Sequence, residues 1–257
     1  MAINFRTISF TASQSPDAEA ARLELVSIYG DAPLEEAEVI VALGGDGFML
    51  QTLHQAMNSG KHIYGMNKGS VGFLMNRYST EGLIDRIAAA TENIIHPLEM
   101  KTTDAYGNKH TALAINEVSL LRQSYQAAKL KVDIDGRTRL DELICDGLLL
   151  ATPAGSTAYN LSAHGPILPL DTPLLALTPV SAFRPRRWRG ALLPERVIVD
   201  IQILEPEKRP VNAVADHQEV KSVEHVRIRQ AHDTSVSILS DSDYSWSDRI
   251  LSEQFSP

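Results

Sequence analysis

Residues 39 to 50 read VIVALGGDGFML, an apolar, β-branched run that stops at Gly44-Gly45-Asp46-Gly47 and resumes as an apolar helical pattern. Strand, glycine turn and helix form the unit with which α/β proteins hold phosphates. Glycine lets backbone N–H groups come close, and a helix N-terminus carries partial positive charge. An acid inside such a turn repels a phosphate unless it has a task of its own. It can hold a metal ion, bind a sugar hydroxyl, or take a proton from one. The bland reading of Asp46 is a helix cap. The other readings point to phosphoryl chemistry rather than anion binding alone. The turn is not a P-loop, because no GxxxxGK[S/T] follows. Nor is it a dinucleotide fingerprint: after Gly45-Asp46-Gly47, the third glycine position holds Leu50.

The chain of 257 residues is long enough for one large or two small domains. Its net charge of -8 argues against a nucleic-acid partner, so any anion site must be local. Cys145 is the only cysteine, which excludes an intrachain disulfide and a cysteine-based zinc site. Flanked by Ile144 and Leu148, it reads as a small core residue rather than a nucleophile. The N-terminus lacks a basic segment followed by an apolar core, and no apolar run approaches the roughly 20 residues of a membrane span. A cytoplasmic protein with no membrane partner is expected.

Periodicity predicts strands over 3–10, 39–43 and 62–66 and helices over 16–28, 48–57 and 80–90. Repeated βα units favour a parallel sheet covered by helices. After Ile94 the texture changes to short β-rich runs, among them 112–115, 130–134, 148–151, 197–204 and 236–239, with turn signals such as Asp135-Gly136. The expected fold is an α/β N-terminal domain with a parallel sheet over 1–95 and a mostly β, sandwich-like domain over 96–244. The tail, 245–257, is expected to return to the first domain.

Further constellations follow strands. Gly65-Met66-Asn67-Lys68-Gly69-Ser70-Val71-Gly72-Phe73-Leu74 can approach a ligand closely, with Phe73 as an apolar wall for an adenine ring. Gly44, Gly45, Gly47, Asn67 and Lys68 are the candidates for ATP phosphates. Asn116-Glu117 can donate to and accept from ribose hydroxyls or an adenine edge. In the run from Asp146 to Ser162, an apolar strand meets a glycine turn. Ser156 and Thr157 are expected to open a short helix there, with Tyr159, Asn160 and Ser162 as further donors. Asp216-His217-Gln218 reads as a turn. Arg184, Arg186, Arg187 and Arg189 surround Trp188 and favour a solvated or subunit-contact surface over a phosphate site. No histidine pair shows the i, i+4 spacing of a helical metal site.

Together, GGDG, the NKGSVGFL loop, the Asn-Glu pair and DGLLLATPAGSTAYNLSAHGPI closely resemble the NAD kinases, over residues 39 to about 218. GGDG alone is shared with diacylglycerol, sphingosine and 6-phosphofructokinases. The resemblance implies an active site between two domains. It also implies transfer of the ATP γ-phosphoryl group to the 2′-hydroxyl of the adenosine ribose of NAD, giving NADP. By motif, Asp46 is the general base, Gly47 lies beside the nucleotide, and Phe73 lines the adenine pocket. Asn116 and Glu117 bind ribose or amide groups, and Asp146 the adenine or nicotinamide portion. Thr157, Ala158, Tyr159, Asn160 and Ser162 line the dinucleotide, and Ser181 and Gln218 complete the set. No P-loop lysine is present, so Mg²⁺ is the expected source of positive charge. A dimer or tetramer is implied.

The sequence departs from the family pattern in four places. Phe48 stands where threonine is common, and Gln51 where arginine or histidine is common. Ser70-Val71-Gly72-Phe73-Leu74 replaces a hydrophobic-Leu-Gly-Phe-Leu run, and His217 stands where glycine is common. Two other readings stay open at this point: another GGDG kinase acting on a lipid or sugar hydroxyl, and a dinucleotide-binding regulator that lost transfer.

Overall fold

The computed structural model describes residues 3–69, 72–186, 188–242, 246 and 248–250. The chain divides into two units, Met1–Ile95 with Thr234–Pro257, and His96–Asp233.

The first unit begins with β1 (Ile8–Ala12) and α1 (Pro16–Tyr29). Ser15 caps α1 by accepting the Ala18 N–H, and Pro16 stands at the first position, where its missing donor costs nothing. Next come β2 (Val39–Gly44), α2 (Asp46–Ala56), β3 (His62–Asn67), α3 (Leu83–Ala89) and β4 (Thr91–Ile95). β1, β2 and β3 are parallel neighbours. Val39, Val41 and Leu43 point to one face of the sheet, where they pack with Ala18, Ala21 and Leu25 of α1 and Leu83 and Ile87 of α3. The first strand starts at Ile8 rather than Ile3, because its pairing begins opposite Val39.

The second unit is almost entirely antiparallel. It runs through β5 (Leu98–Asp104), β6 (Lys109–Ala114), β7 (Glu117–Arg122), β8 (Ala128–Ile134), β9 (Arg137–Cys145) and β10 (Gly147–Ala151). A 3₁₀ turn (Ala154–Thr157) and the short α4 (Tyr159–Ser162) interrupt it. It continues with β11 (Leu174–Val180), β12 (Ala191–Pro194), β13 (Val199–Ile203), β14 (Val211–Ala215), β15 (Gln218–Val220) and β16 (Val223–Gln230). One sheet has the order β12-β11-β10-β7-β14-β15 and the other β6-β5-β16-β13-β8-β9. Val118, Leu120, Leu148 and Leu150 from the first sheet share one core with Met100, Val132, Ile201 and Val226 from the second. Strand alternation puts these side chains inward, the arrangement of a β-sandwich. On the opposite face of the first sheet, Ala151 and Ala176 pack against Leu168.

After the sandwich the chain returns as β17 (Val236–Ser240), which lies between β3, parallel to it, and β4, antiparallel to it. This corrects the expectation that residues 236–239 belong to the second domain. The reason is burial: all five residues of β17 are buried. A strand covered on both faces belongs inside an α/β sheet, and its composition alone does not say which sheet. Of the expected C-terminal helix, residues 245, 247 and 251–255 lie outside the described residues.

Leu239 is fully buried in the first unit's core. Leu239→Ala is expected to lower the unfolding free energy by about 2 to 5 kcal/mol in guanidinium titrations. Leu23→Ala, at a position 57% exposed, is expected to shift it by less than about 0.5 kcal/mol.

Candidate active site

In the first unit the glycine turn is built as the sequence suggests. Gly44 ends β2 and Gly45 caps α2 with extended backbone, so Asp46 is the first helical residue rather than the cap. Its carboxylate makes no capping bond. Instead Oδ2 accepts the Phe73 N–H at 2.8 Å and Oδ1 the Leu74 N–H at 3.0 Å. Burial raises the Asp46 pKa above the ordinary aspartate value, against the lowering effect of the Phe73 and Leu74 N–H bonds and of the Arg249 charge. A carboxylate so held is fixed in direction and made more basic, which suits proton acceptance. A methyl group on Gly45 or Gly47 would meet nothing within 4 Å. The first helical turn leaves N–H groups at Asp46 and Gly47 without intrahelical partners. Such donors at a helix start favour an anion.

The second loop touches the turn through its backbone. The Lys68 N–H donates to the Gly44 carbonyl at 2.7 Å. The side chains expected to meet phosphate make contacts within the first unit. Asn67 Oδ1 accepts the Gly69 N–H and so closes its own loop. Lys68 Nζ lies 3.9 Å from the centre of the Tyr78 ring, held there by the ring's negative face. Phe48 packs over Gly44, and Gln51 lies on the exposed face of α2. Ser70 and Val71 lie outside the described residues.

In the second unit, Ile115, Asn116 and Glu117 curve around one carboxylate. Asp216 accepts all three backbone N–H groups, at 2.7, 2.9 and 3.2 Å. The left-handed residue of this turn is Asp216 itself, at φ 51°, so His217 stands there without backbone strain. Thr152 ties the next strand end to the same place. Its N–H donates to the Asn116 carbonyl and its hydroxyl to the Ile115 carbonyl. Gly155 packs so closely that a methyl group there would overlap the Asn116 carbonyl.

Against this frame, Asn116 Oδ1 and Glu117 Oε2 are buried without a hydrogen-bond partner. Buried polar atoms are normally paired, so two orphans in adjacent residues mark a place for a ligand with donors. Burial, then the Asp216 charge, pushes the Glu117 pKa up to about 8. At neutral pH Glu117 is therefore protonated and can donate as well as accept.

Thr157, Ala158 and Tyr159 are half-buried and Ser162 is exposed. Gln218, exposed, opens β15 two residues after Asp216. Two of the expected hydroxyl and amide groups point inward. The Asn160 amide donates to the Ser156 and Pro166 carbonyls and its oxygen accepts the Thr178 hydroxyl. Ser156 lies inside the 3₁₀ turn, which Thr157 ends, rather than opening a helix, and its hydroxyl bonds the Pro153 carbonyl and the Leu168 N–H. Asp146 pairs with Arg122 at 2.6 Å. Asp146 and Ser181 flank the Gly147 end of β10, opposite its Ala151 end. The four residue steps of strand put roughly 13 Å between those ends, so Asp146 and Ser181 lie away from Asn116 and Glu117. Cys145 is buried and its thiol is pushed up to about 12, which leaves it unreactive. Around Trp188, the side chains of Arg184, Arg186 and Arg189 are exposed, and Arg187 lies outside the described residues.

Because the folded chain keeps the Glu117 proton up to about pH 8, it binds more protons than the unfolded chain from about pH 5 to 8. Stability should fall as pH rises through that window. Glu117→Gln should flatten the fall, measured by urea unfolding at each end of the window in the free protein.

Comparisons with known proteins identify the family. The family model described as ATP-NAD kinase C-terminal domain matches residues 115–238. A NAD kinase of Rhizobium meliloti (strain 1021) is 72% identical over 256 residues, covering 100% of both chains. A NAD kinase of Caulobacter vibrioides is 60% identical, covering 97% of this chain and 96% of its own. Among solved structures, yeast NADH kinase complexed with NADH superimposes with a TM-score of 0.83 at 21% identity, covering 96% of this chain and 86% of that one. A NAD kinase from Archaeoglobus fulgidus in complex with ATP gives 0.74 at 20% identity, covering 93% and 95%. At that identity the two structures attest the fold, and the full-length relatives attest the family. The chain belongs to the NAD kinase family.

Proposed function

We propose that this chain transfers the γ-phosphoryl group of ATP to the 2′-hydroxyl of the adenosine ribose of NAD, and so supplies NADP biosynthesis. The observation that carries the reading is the Asp46 carboxylate, held by two backbone N–H groups at the mouth of a glycine turn, with its pKa raised by burial. A ribose hydroxyl is a poor nucleophile at neutral pH. Asp46 accepts its proton as the oxygen attacks phosphorus, and the bond from phosphorus to the β–γ bridging oxygen breaks to release ADP. The N-terminal turn of α2, with Gly44, Gly45 and Gly47, takes the phosphates of ATP. Phe73 walls the adenine.

NAD binds through Asn116 and protonated Glu117, whose buried orphan atoms suit hydroxyl and amide groups. Thr157, Ala158, Tyr159, Ser162 and Gln218 extend that surface, and Asp146 and Ser181 act at a different part of the ligand. Mg²⁺ arrives with ATP as part of the substrate and neutralises its phosphates. Among the described residues no three of His, Cys, Asp and Glu gather to hold a metal.

We further read the protein as a cytoplasmic homo-oligomer without nucleic-acid or membrane partners. Its net charge of -8 supports the exclusion of nucleic acid. No helix among the described residues is long and apolar enough to cross a membrane. The exposed Phe183 ring, with Arg184 and Arg186 beside it, is the proposed subunit contact.

Incubation with ATP, Mg²⁺ and NAD should yield NADP. Asp46→Asn should bind NAD within about threefold of wild type by calorimetry and lose about 10²- to 10⁴-fold in kcat. Near-native turnover would remove Asp46 as the base. Tight NAD binding by the wild type without any NADP would identify a regulator instead.

A further inference from the structure

We propose that Arg249 is a positioning residue for Asp46, acting through the peptide group between Phe73 and Leu74. The proposal rests on the reading of Asp46 as the base, and it adds the device that aims it.

The geometry is a relay across one planar unit. Arg249 Nη1 donates to the Phe73 carbonyl oxygen at 2.9 Å. That carbonyl belongs to the same peptide group as the Leu74 N–H, which donates to Asp46 Oδ1 at 3.0 Å. A peptide group is rigid, so fixing its oxygen fixes the direction of its N–H. The order is guanidinium, carbonyl, amide, carboxylate, with the peptide dipole aligned between a cation and an anion. Hydrogen bonds in such a chain polarise and strengthen one another. The neighbouring Phe73 N–H, which donates to Asp46 Oδ2 at 2.8 Å, is carried on the same short segment.

Arg249 is itself anchored. It is 4% exposed, and Nη2 donates to Asn76 Oδ1 at 2.6 Å. Asn76 accepts the Asp241 N–H on the same oxygen and donates to the Leu239 carbonyl at the end of β17. Asp241 receives the Tyr64 hydroxyl and the Arg86 guanidinium, at 2.5 and 2.6 Å. The loop that aims Asp46 is thereby tied to β3, α3 and β17 rather than left to its own glycines. Arginine suits the place because its planar fork serves the Phe73 and Asn76 acceptors at once; a lysine ammonium reaches one of them well. Its charge also counters the burial that raises the Asp46 pKa.

Two readouts test the proposal. Arg249→Ala should lower kcat by about 100-fold, the scale of a misplacement near 1 Å, with KM for NAD changed by less than about threefold. Added guanidinium chloride at low millimolar concentration should restore at least about tenfold of that loss. Independently of turnover, hydrogen exchange at the Phe73 and Leu74 amides should quicken by at least about tenfold in the variant while the β2 amides stay protected. Arg249→Lys should give an intermediate kcat, and it decides the matter if the alanine variant does not fold. Unchanged exchange at Phe73 and Leu74, or a kcat within about twofold of wild type in either variant, would overturn the proposal. If wild type forms no NADP while the exchange result appears as expected, the reading of the reaction fails and the relay stands.

Discussion

A carboxylate held by two backbone N–H groups is the interaction on which the first unit's chemistry depends. Asp46 comes from the start of α2 and its donors from a loop 27 and 28 residues later. Neither partner is useful alone. Without the donors, an acid at a helix start would swing toward solvent or cap the helix. With them, both oxygens are fixed while burial keeps the group basic. The rest of the unit can be read as support: the Lys68 N–H on Gly44, Asn67 closing its loop, and the buried ties through Asn76 and Asp241.

The second unit repeats the device for another end. Asp216 collects three backbone N–H groups. Here the carboxylate is the support, and the residues it holds carry the chemistry. Satisfying the backbone of Asn116 and Glu117 so fully keeps their side chains from folding back onto it. Two of their oxygens are left buried and unpaired. That costs stability, and a ligand that supplies donors offsets the cost. Burial first, and the nearby Asp216 charge second, explain why Glu117 holds its proton.

The parts legible in the sequence are those whose physics is local. The turn at Gly44 to Gly47, the helix start at Ser15-Pro16 and the Asp135-Gly136 hairpin, with φ of 50° and 71°, depend on neighbours a few residues away. Strands such as β16 alternate buried and exposed positions, yet carry His225, Arg227 and Arg229 on the outward face, so their composition hides them. The Asp216 cradle spans about a hundred residues of sequence and the Arg249 tie more than 170. No local pattern encodes those pairings. Asn160 shows the converse: its motif and polarity point to a ligand group, and only packing reveals its bonds to Ser156, Pro166 and Thr178. Lys68 meets the turn through its backbone N–H, and the ring beside its ammonium is not visible in the local pattern.

The place of β17 has a consequence for synthesis. Among the described residues β4 finds its ladder partner only in β17, and β17 is the link between β4 and β3. The first unit therefore cannot complete its sheet until residue 240 has left the ribosome. The 138 residues from His96 to Asp233 contain every strand of both sandwich sheets and emerge earlier. Chains fold in domains as they emerge, and contacts distant in sequence form slowly. During translation the half of the molecule made first waits for the end of the chain, with the Val236-facing side of β4 unpaired. Premature termination after the sandwich would leave a folded second unit attached to an unfinished first one, a natural substrate for quality control.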